Sequence, residues 1–355
     1  MTNKVSSAPR KHYLDNLRAF TILFLFPYHI FVIYSWGAHW YIRGENLWIP
    51  TISNEIANFW MMPLLFAIAG ISSRYALEKR NAGEYAKERV CKLLLPLLFG
   101  LLLVIPIQPY LAAMFLNGEA SYFNSFTKLT DLTGYDGAFT PAHLWFILVL
   151  FVISMACLPF MIWYKNKGKG TLGDNVPLIL VILLGLLPCI VKNNIFEVIE
   201  IDGKSILEYS VYFLLGYFFL SNDSLLKKLE KYRFLLLGLS VSYAVVMTFV
   251  LNGEFYELAS WLSVLMILGM GRRYLNFTGK ITGYLAKSSF GIYIFHQSWI
   301  VVTAFLILQF TDTAIFQILL IFPSSIILTY ATYEICRRVP VLRSMFGLKG
   351  GRMKE

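Results

Sequence analysis

Asp15, Arg18 and His29 lie within an otherwise apolar segment near the start of the chain. Ionisable side chains are costly in a bilayer, so those that occur there usually serve a function. Arg18 and His29 are eleven residues apart, a separation that returns a helix to within about 20° of the same face. At about 1.5 Å per residue, His29 lies roughly 16 Å further along the axis. The spacing predicts Arg18 at the membrane edge, paired with Asp15, and His29 near mid-depth.

The imidazole of His29 could do chemistry in two ways. Apolar surroundings favour the neutral ring, which can accept a proton from a hydroxyl and act as a general base. The ring could instead act as a nucleophile and carry a transferred group for a short time. A purely structural interpretation is also open, in which Arg18 extends to the membrane surface and His29 hydrogen-bonds within a helix bundle.

The composition is typical of a polytopic membrane protein. Hydrophobic residues make up 57% of the chain and charged residues only 15%, and the mean hydropathy is +0.61. The net charge of +10 comes from Lys and Arg in short loops between apolar runs, so we expect a lipid bilayer and no nucleic acid as partner. The four cysteines show no C-x-x-C spacing, and no residues at metal-ligand spacing predict a metal site.

Ten apolar runs are long enough, or nearly so, to cross a bilayer. They cover about 15–35, 55–77, 92–116, 143–164, 176–191, 206–220, 233–251, 255–271, 284–309 and 314–336. Ten crossings put both termini on one side, together with 27 of the 31 Lys and Arg residues. The positive-inside rule identifies that side as the cytoplasm. The sequence therefore predicts an all-α, polytopic integral membrane protein with about ten transmembrane helices and both termini cytoplasmic.

The expected organisation is a cytoplasmic N-terminal segment over 1–14, a transmembrane domain over 15–336 and a basic cytoplasmic tail over 337–355. The longest outer loop, 117–142, has a length that suits either a partly ordered segment over an acceptor or a disordered connector. No internal repeat is apparent, which weakens the interpretation of the chain as a transporter.

Five segments together resemble the membrane-bound acyltransferase 3 family. They are 15–29, 58–70, 87–110, 143–146 and 288–296. The first contains the pattern Asp-x-x-Arg followed after ten residues by His, and the second has Pro63 and Gly70 in the places of a Pro and a Gly in the family. The third joins a basic stretch to a Pro-containing apolar helix and most resembles the branch that includes glucan biosynthesis protein C.

The resemblance implies an O-acyltransferase that takes an acyl group, expected to be acetyl, from cytoplasmic acyl-CoA. The implied acceptor is a hydroxyl of a cell-surface or secreted glycan. His29 matches the proposed catalytic histidine, Arg18 matches an arginine that helps bind the donor, and Asp15 would orient Arg18. Acyl-CoA is a substrate here, and no bound cofactor is expected. We expect transfer to be direct or to use a separate extracytoplasmic acceptor protein, at the cell membrane.

Four further residues are expected near the substrates. Arg89 and Lys92 lie one turn apart at the mouth of the third apolar run and suit the phosphates of coenzyme A, although ordinary cytoplasmic charge would also place them there. His143 suits a role beside the acceptor or a helix cap. His296 is predicted at the depth of His29, where it could orient that ring or hydrogen-bond within the bundle.

A secondary transporter or flippase is the alternative from a different class. In that interpretation His29, His296 and Arg18 would form a proton relay or an anion site. An assembly protein without catalysis is a third. The sequence does not decide whether the transferred acyl group is acetyl or succinyl.

Overall fold

The computed structural model describes residues 11–168, 170–194, 200–201, 204–250 and 255–350. Helices dominate this part of the chain, and the only strands in it are β1 (Glu200–Ile201) and β2 (Lys204–Ser205), which pair antiparallel. The first nine α-helices are α1 (His12–Val32), α2 (Trp48–Asn58), α3 (Met61–Lys79), α4 (Ala82–Arg89), α5 (Leu95–Leu103), α6 (Ile107–Asn117), α7 (Asn124–Thr127), α8 (Trp145–Ala156) and α9 (Leu158–Asn166). The others are α10 (Leu178–Leu183), α11 (Leu186–Asn194), α12 (Ile206–Leu215), α13 (Asp223–Lys231), α14 (Arg233–Phe249), α15 (Tyr256–Tyr274), α16 (Lys280–Ile307), α17 (Ala314–Arg338) and α18 (Pro340–Met345).

Each of the ten predicted apolar runs coincides with one helix or with consecutive helices, apart from residue 251, which lies outside the described residues. Within the described residues, four helical stretches are long and apolar enough to cross a membrane, namely Trp48–Lys79, Ala82–Asn117, Lys280–Ile307 and Ala314–Arg338. The pair Ala142–Ala156 and Leu158–Asn166, bent by 42°, makes a fifth if it is one span. The chain is thus a helical integral membrane protein, while the full set of ten crossings stays a prediction.

The other predicted spans are helical but shorter or less apolar. In α1 the side chains of Asp15, Arg18 and His29 lower the mean hydropathy of an otherwise apolar helix. Between α10 and α11 the chain turns at Leu184 and Gly185, so the run 176–191 forms two short helices instead of one.

Close packing of α3 on α12 depends on two glycines. Gly70 of α3 lies against the carbonyl of Phe213, and Gly216, which begins a π-helical turn (Gly216–Leu220), lies against the carbonyl of Ala67. A Cβ atom at either glycine would overlap with backbone atoms of the neighbouring helix. Gly70 and Gly216 therefore allow the close approach of these two helices.

Polar contacts gather several basic segments at one end of the bundle, which we call the basic end. Lys11 Nζ donates to Tyr75 Oη over 2.6 Å and pairs with Asp223 over 3.3 Å. Arg272 contacts Asp223 over 2.9 Å and Glu230 over 3.1 Å. Partial burial acts to raise the pKa of the Asp223 carboxyl, but the hydrogen bond and charge of Arg272, with the charge of Lys11, hold it below its usual value. That this end faces the cytoplasm remains a prediction.

Candidate functional site

His29, His143 and His296 form a cluster of three imidazole rings, the histidine cluster. The ring centroids of His29 and His296 are 5.2 Å apart, and those of His143 and His296 are 4.9 Å apart. His296, predicted at the depth of His29, lies beside it. His143, for which we expected a role beside the acceptor or as a helix cap, lies beside His296.

Packing of α1 and of a short turn against α16 brings the three rings together. His29 lies on α1 and His296 on α16, two helices that pack side by side. His143 lies in the 3₁₀ turn Ala142–Leu144 that precedes α8. The hydroxyl of Tyr293 donates to the backbone carbonyl of His143, which ties that turn to α16.

Backbone carbonyls determine which nitrogen carries the proton on two of the rings. His143 Nε2 lies 3.0 Å from the carbonyl oxygen of Ile294, and His296 Nδ1 lies 2.8 Å from that of Tyr293. Because a carbonyl only accepts hydrogen bonds, we assign a proton to each of these nitrogens. In the neutral rings, His143 Nδ1 and His296 Nε2 are then acceptors, and neither has a partner among the described residues. The cluster therefore offers acceptors to a ligand that donates hydrogen bonds.

Two aromatic rings hold the His29 imidazole. The Trp40 ring lies nearly parallel to it, with centroids 5.8 Å apart and 12° between the planes. The Tyr28 ring meets it at its edge, with centroids 4.9 Å apart. His29 Nδ1 is buried and has no partner in the described part of the chain. Trp40 was missed by the sequence analysis, because it lies in a loop where no pattern resembles the family.

A cavity of about 620 Å³ opens beside this cluster and includes His29 and His143 in its wall. The volume is in the range of small-molecule sites. The wall combines aromatic rings with polar and charged side chains, among them Trp40, Tyr135, Tyr209, Asn54, Glu55 and Glu208. Aromatic faces and hydrogen-bonding groups together suit a ligand with both apolar faces and hydroxyls.

The outer loop 117–142 is ordered where it meets the cavity. Tyr41 Oη donates to the carbonyl of Thr133 over 3.1 Å, and the ring of Tyr41 packs on that of Tyr135. The side-chain hydroxyl of Thr133 donates to Asp131 over 2.7 Å, and this bond lowers the pKa of the Asp131 carboxyl. The loop is therefore partly ordered, as in the first of the two alternatives, while its position over an acceptor stays a prediction.

Arg18 forms the predicted pair with Asp15 at the start of α1. Arg18 Nη1 is 3.4 Å from Asp15 Oδ1, and Nη2 donates to Ser72 Oγ of α3 over 3.0 Å. Arg18 therefore reaches α3, whereas His29 packs on α16, although both residues belong to one helix. Eleven residues of helix separate the two groups, so only an extended ligand could contact both.

Arg89 and Lys92 lie apart from the histidine cluster and differ from each other. Arg89 Nη2 is 3.4 Å from Ser73 Oγ, next to the serine that Arg18 contacts, and its guanidinium lies 4.6 Å from the Tyr85 ring centroid. Lys92 instead pairs with Glu88. The turn that contains Lys92, Val90–Leu94, is π-helical, so residues three apart are further separated around the axis than in an α-helix. The expectation that Arg89 and Lys92 lie one turn apart assumed a regular α-helix, whereas the segment between them is π-helical.

Among the residues that the structure describes, no group of three His, Cys, Asp or Glu side chains is arranged to hold a metal ion. The three rings of the histidine cluster thus differ from a metal centre in their arrangement.

Comparison with known proteins agrees with this architecture. Proteins named Glucans biosynthesis protein C from Salmonella paratyphi B, Salmonella dublin and Salmonella enteritidis are each 25% identical to the chain over an alignment 381 positions long. Each alignment covers 96% of this chain and 96% of the relative. No solved structure matches the chain. A model of the acyltransferase 3 family, described as an acyltransferase domain, matches residues 11–334. Because that match covers nearly the whole sequence, the chain belongs to the acyltransferase 3 family and is a membrane acyltransferase.

Proposed function

We propose that the protein transfers an acyl group, expected to be acetyl, from cytoplasmic acyl-CoA to a hydroxyl of a cell-surface or secreted glycan. The observation that carries this proposal is the pair of unpartnered acceptor nitrogens, His143 Nδ1 and His296 Nε2, in a histidine cluster of which His29 and His143 line the cavity. A polyol donates several hydrogen bonds and matches such a set, whereas an anion would need donors. The relatives' name, which refers to the biosynthesis of glucans, supports a glycan as acceptor.

His29 is the residue that performs the chemistry in this proposal. As a general base, it takes the proton from the glycan hydroxyl while the oxygen attacks the thioester carbonyl. The bond between the carbonyl carbon and sulfur then breaks, and the leaving thiolate of coenzyme A takes up a proton. In the second route, His29 attacks the thioester carbonyl first, the bond to sulfur breaks and coenzyme A leaves as the thiol with the imidazole proton. The acyl-imidazole then passes its acyl group to the glycan hydroxyl, whose proton returns to the ring. In this proposal His296, whose ring centroid lies 5.2 Å from that of His29, orients the base.

Arg18 and Arg89 bind the donor in this scheme. Their side chains reach neighbouring serines of α3, Ser72 and Ser73, and guanidinium groups suit the phosphates of coenzyme A. Asp15 orients Arg18. Lys92 would have to leave Glu88 to contact a phosphate, so it makes the smaller contribution. In this scheme both termini and the basic end of the bundle face the cytoplasm at the cell membrane. A separate extracytoplasmic protein could receive the acyl group and pass it to the final glycan.

Transfer of label from radiolabelled acetyl-CoA tests the proposal. Inside-out vesicles from cells that make envelope glycan would contain the wild type, His29→Ala or the control His12→Ala, a histidine of the same helix outside the cluster. We expect labelled glycan with the wild type and with His12→Ala. Loss of the base should reduce transfer by at least about 100-fold in His29→Ala.

Succinyl-CoA is tested in parallel with acetyl-CoA. If neither donor labels any product and neither raises the melting temperature of the purified protein, the proposal is wrong, because a bound substrate must stabilise the folded state. That outcome would favour the transporter interpretation. Equal labelling by the wild type and His29→Ala would remove His29 from the mechanism.

A further inference from the structure

Gln297 is a buried polar residue at the cavity that the mechanism does not use. It follows His296 on α16, lines the same cavity and is 3% exposed. Its Oε1 atom has no hydrogen-bond partner among the described residues. Leaving a buried acceptor without a donor costs free energy, so such an atom indicates a role for a ligand.

A chain of hydrogen bonds determines which way the Gln297 amide faces. Ser298 Oγ donates to the carbonyl of Val104 over 2.8 Å, Gln108 Nε2 donates to Ser298 Oγ over 2.7 Å, and Gln297 Nε2 donates to Gln108 Oε1 over 2.9 Å. Gln108 is fully buried and Ser298 is 7% exposed, so water does not compete for these bonds.

The direction of this chain follows from its first member. The Val104 carbonyl can only accept, so the Ser298 hydroxyl must give its proton to it and can only accept from Gln108. The amide nitrogen of Gln108 therefore faces Ser298 and its oxygen faces Gln297. For the same reason the amide nitrogen of Gln297 faces Gln108, and its oxygen is left as an acceptor. A flip of either amide would break at least one of the three bonds.

We propose that Gln297 Oε1 accepts a hydrogen bond from a second hydroxyl of the acceptor, close to the hydroxyl that is acylated. Gln297 would be a specificity-determining residue, and Gln108 and Ser298 would be positioning residues that keep its oxygen toward the ligand. This inference rests on the proposed function. It assigns to the site an acceptor with neighbouring hydroxyls, in preference to one with a single hydroxyl.

The acyl-CoA donor also contains amide N–H groups, which could donate to the same oxygen. The two sources differ in the kinetic constant that they affect. Loss of a bond to the glycan raises KM for the acceptor, whereas loss of a bond to the donor raises KM for acyl-CoA.

The test compares Gln297→Met with the wild type, using radiolabelled acetyl-CoA, methyl β-glucoside and the monodeoxy derivatives of that glucoside. We expect Gln297→Met to raise KM for the glucoside by up to about tenfold, the effect of one lost hydrogen bond. KM for acetyl-CoA should not change. One monodeoxy derivative should lose affinity with the wild type and lose nothing more with Gln297→Met, since both changes remove the same bond.

Gln317→Met is the matched control, because Gln317 is also buried but both of its amide atoms have protein partners, Tyr34 Oη and the Thr311 carbonyl. It should lower the melting temperature without changing KM for the glucoside. Ser298→Ala should reproduce part of the Gln297→Met effect, because Gln108 and Gln297 can then turn over.

An unchanged acceptor KM in Gln297→Met would overturn the inference, and a raised KM for acetyl-CoA alone would assign the oxygen to the donor instead. If the glucoside is too small to be accepted, the same comparison uses limiting membrane glycan, where equal rates for wild type and variant overturn the inference. Absence of any transfer by the wild type is a failure of the proposed function and is seen independently of the variant.

Discussion

At the basic end of the bundle, charged side chains contact one another. Beside the cavity, several buried side chains have one polar atom that is bonded to protein and a second that has no partner in the described part of the chain. Arg272 contacts two carboxylates, and Lys11 contacts a carboxylate and a hydroxyl. His143 and Gln297, which line the cavity, and His296 next to them each have one polar atom bonded to protein and another without a partner among the described residues.

This difference indicates how each region would bind its substrate. A phosphate at the basic end must replace or join existing protein contacts, so binding there is an exchange of partners. At the cavity, a donor-rich ligand would satisfy acceptors whose burial otherwise costs about 1–3 kcal/mol each. Buried polar atoms without a hydrogen-bond partner are typical of functional sites. We therefore expect the cavity to determine the rate and acceptor choice, and the basic end to determine donor affinity.

The largest effect in this comparison is expected for His296→Phe. Phenylalanine keeps a ring in place but removes the nitrogen beside His29, so kcat should decrease by roughly 10- to 100-fold, part of what general base catalysis contributes. KM for acyl-CoA should be nearly unchanged, and the pH dependence of kcat should shift because His29 loses its neighbour. Steady-state transfer rates over a range of pH measure both.

His296→Gln, which retains an acceptor, is the rescue variant and should recover part of the rate. A decrease in melting temperature with an unchanged kcat and pH profile would reduce His296 to a packing residue.

A smaller effect, on affinity and not on rate, is expected for Arg18→Ala. Loss of a charged hydrogen-bond donor should raise KM for acyl-CoA about tenfold while kcat stays within about twofold. The difference from the wild type should decrease as salt is added, because exposed charges are screened.

Arg338→Ala is the matched control, since Arg338 is an exposed arginine paired with Glu334. It should leave both constants unchanged. A fall in kcat with unchanged KM in Arg18→Ala would place Arg18 in the chemical step and contradict the division between the two regions.

The smallest effect on catalysis and the clearest on stability is expected for Gly70→Ala. Helix α3 extends from Met61, which lines the cavity, to Ser72, which accepts a hydrogen bond from Arg18. Its packing on α12 therefore fixes the distance between the two regions. A Cβ at Gly70 would overlap the Phe213 carbonyl, and overpacking of this kind costs about 1–3 kcal/mol. Thermal unfolding in detergent should show a lower melting temperature.

Gly238→Ala is the control, because a Cβ at this helical glycine would meet nothing within 4 Å. There, alanine should leave stability unchanged or improve it slightly, by removing the conformational freedom of glycine. Equal melting temperatures for the two variants would show that α3 can move away from α12 without cost.

The sequence by itself predicted the features that depend on local spacing or on family resemblance. The ten apolar runs that hydropathy identified coincide with helices where the structure describes them, because a segment buried in lipid must satisfy its backbone hydrogen bonds internally. The pair of Arg18 with Asp15 follows from three-residue spacing on a helix, and it is present. The recurring segments identified the family, and the residues 11–334 that match it confirm this.

Only the tertiary structure decided which distant residues meet. His143 and His296, over 150 residues apart, share one cluster because a short turn is tied to α16. The stacking of Trp40 on His29 depends on the path of a loop. The orientation of the Gln297 amide also depends on tertiary structure, because the hydrogen-bond chain that determines it begins at the Val104 carbonyl, between α5 and α6. No local pattern contains that information, because a hydrogen bond between distant segments exists only once the helices have packed.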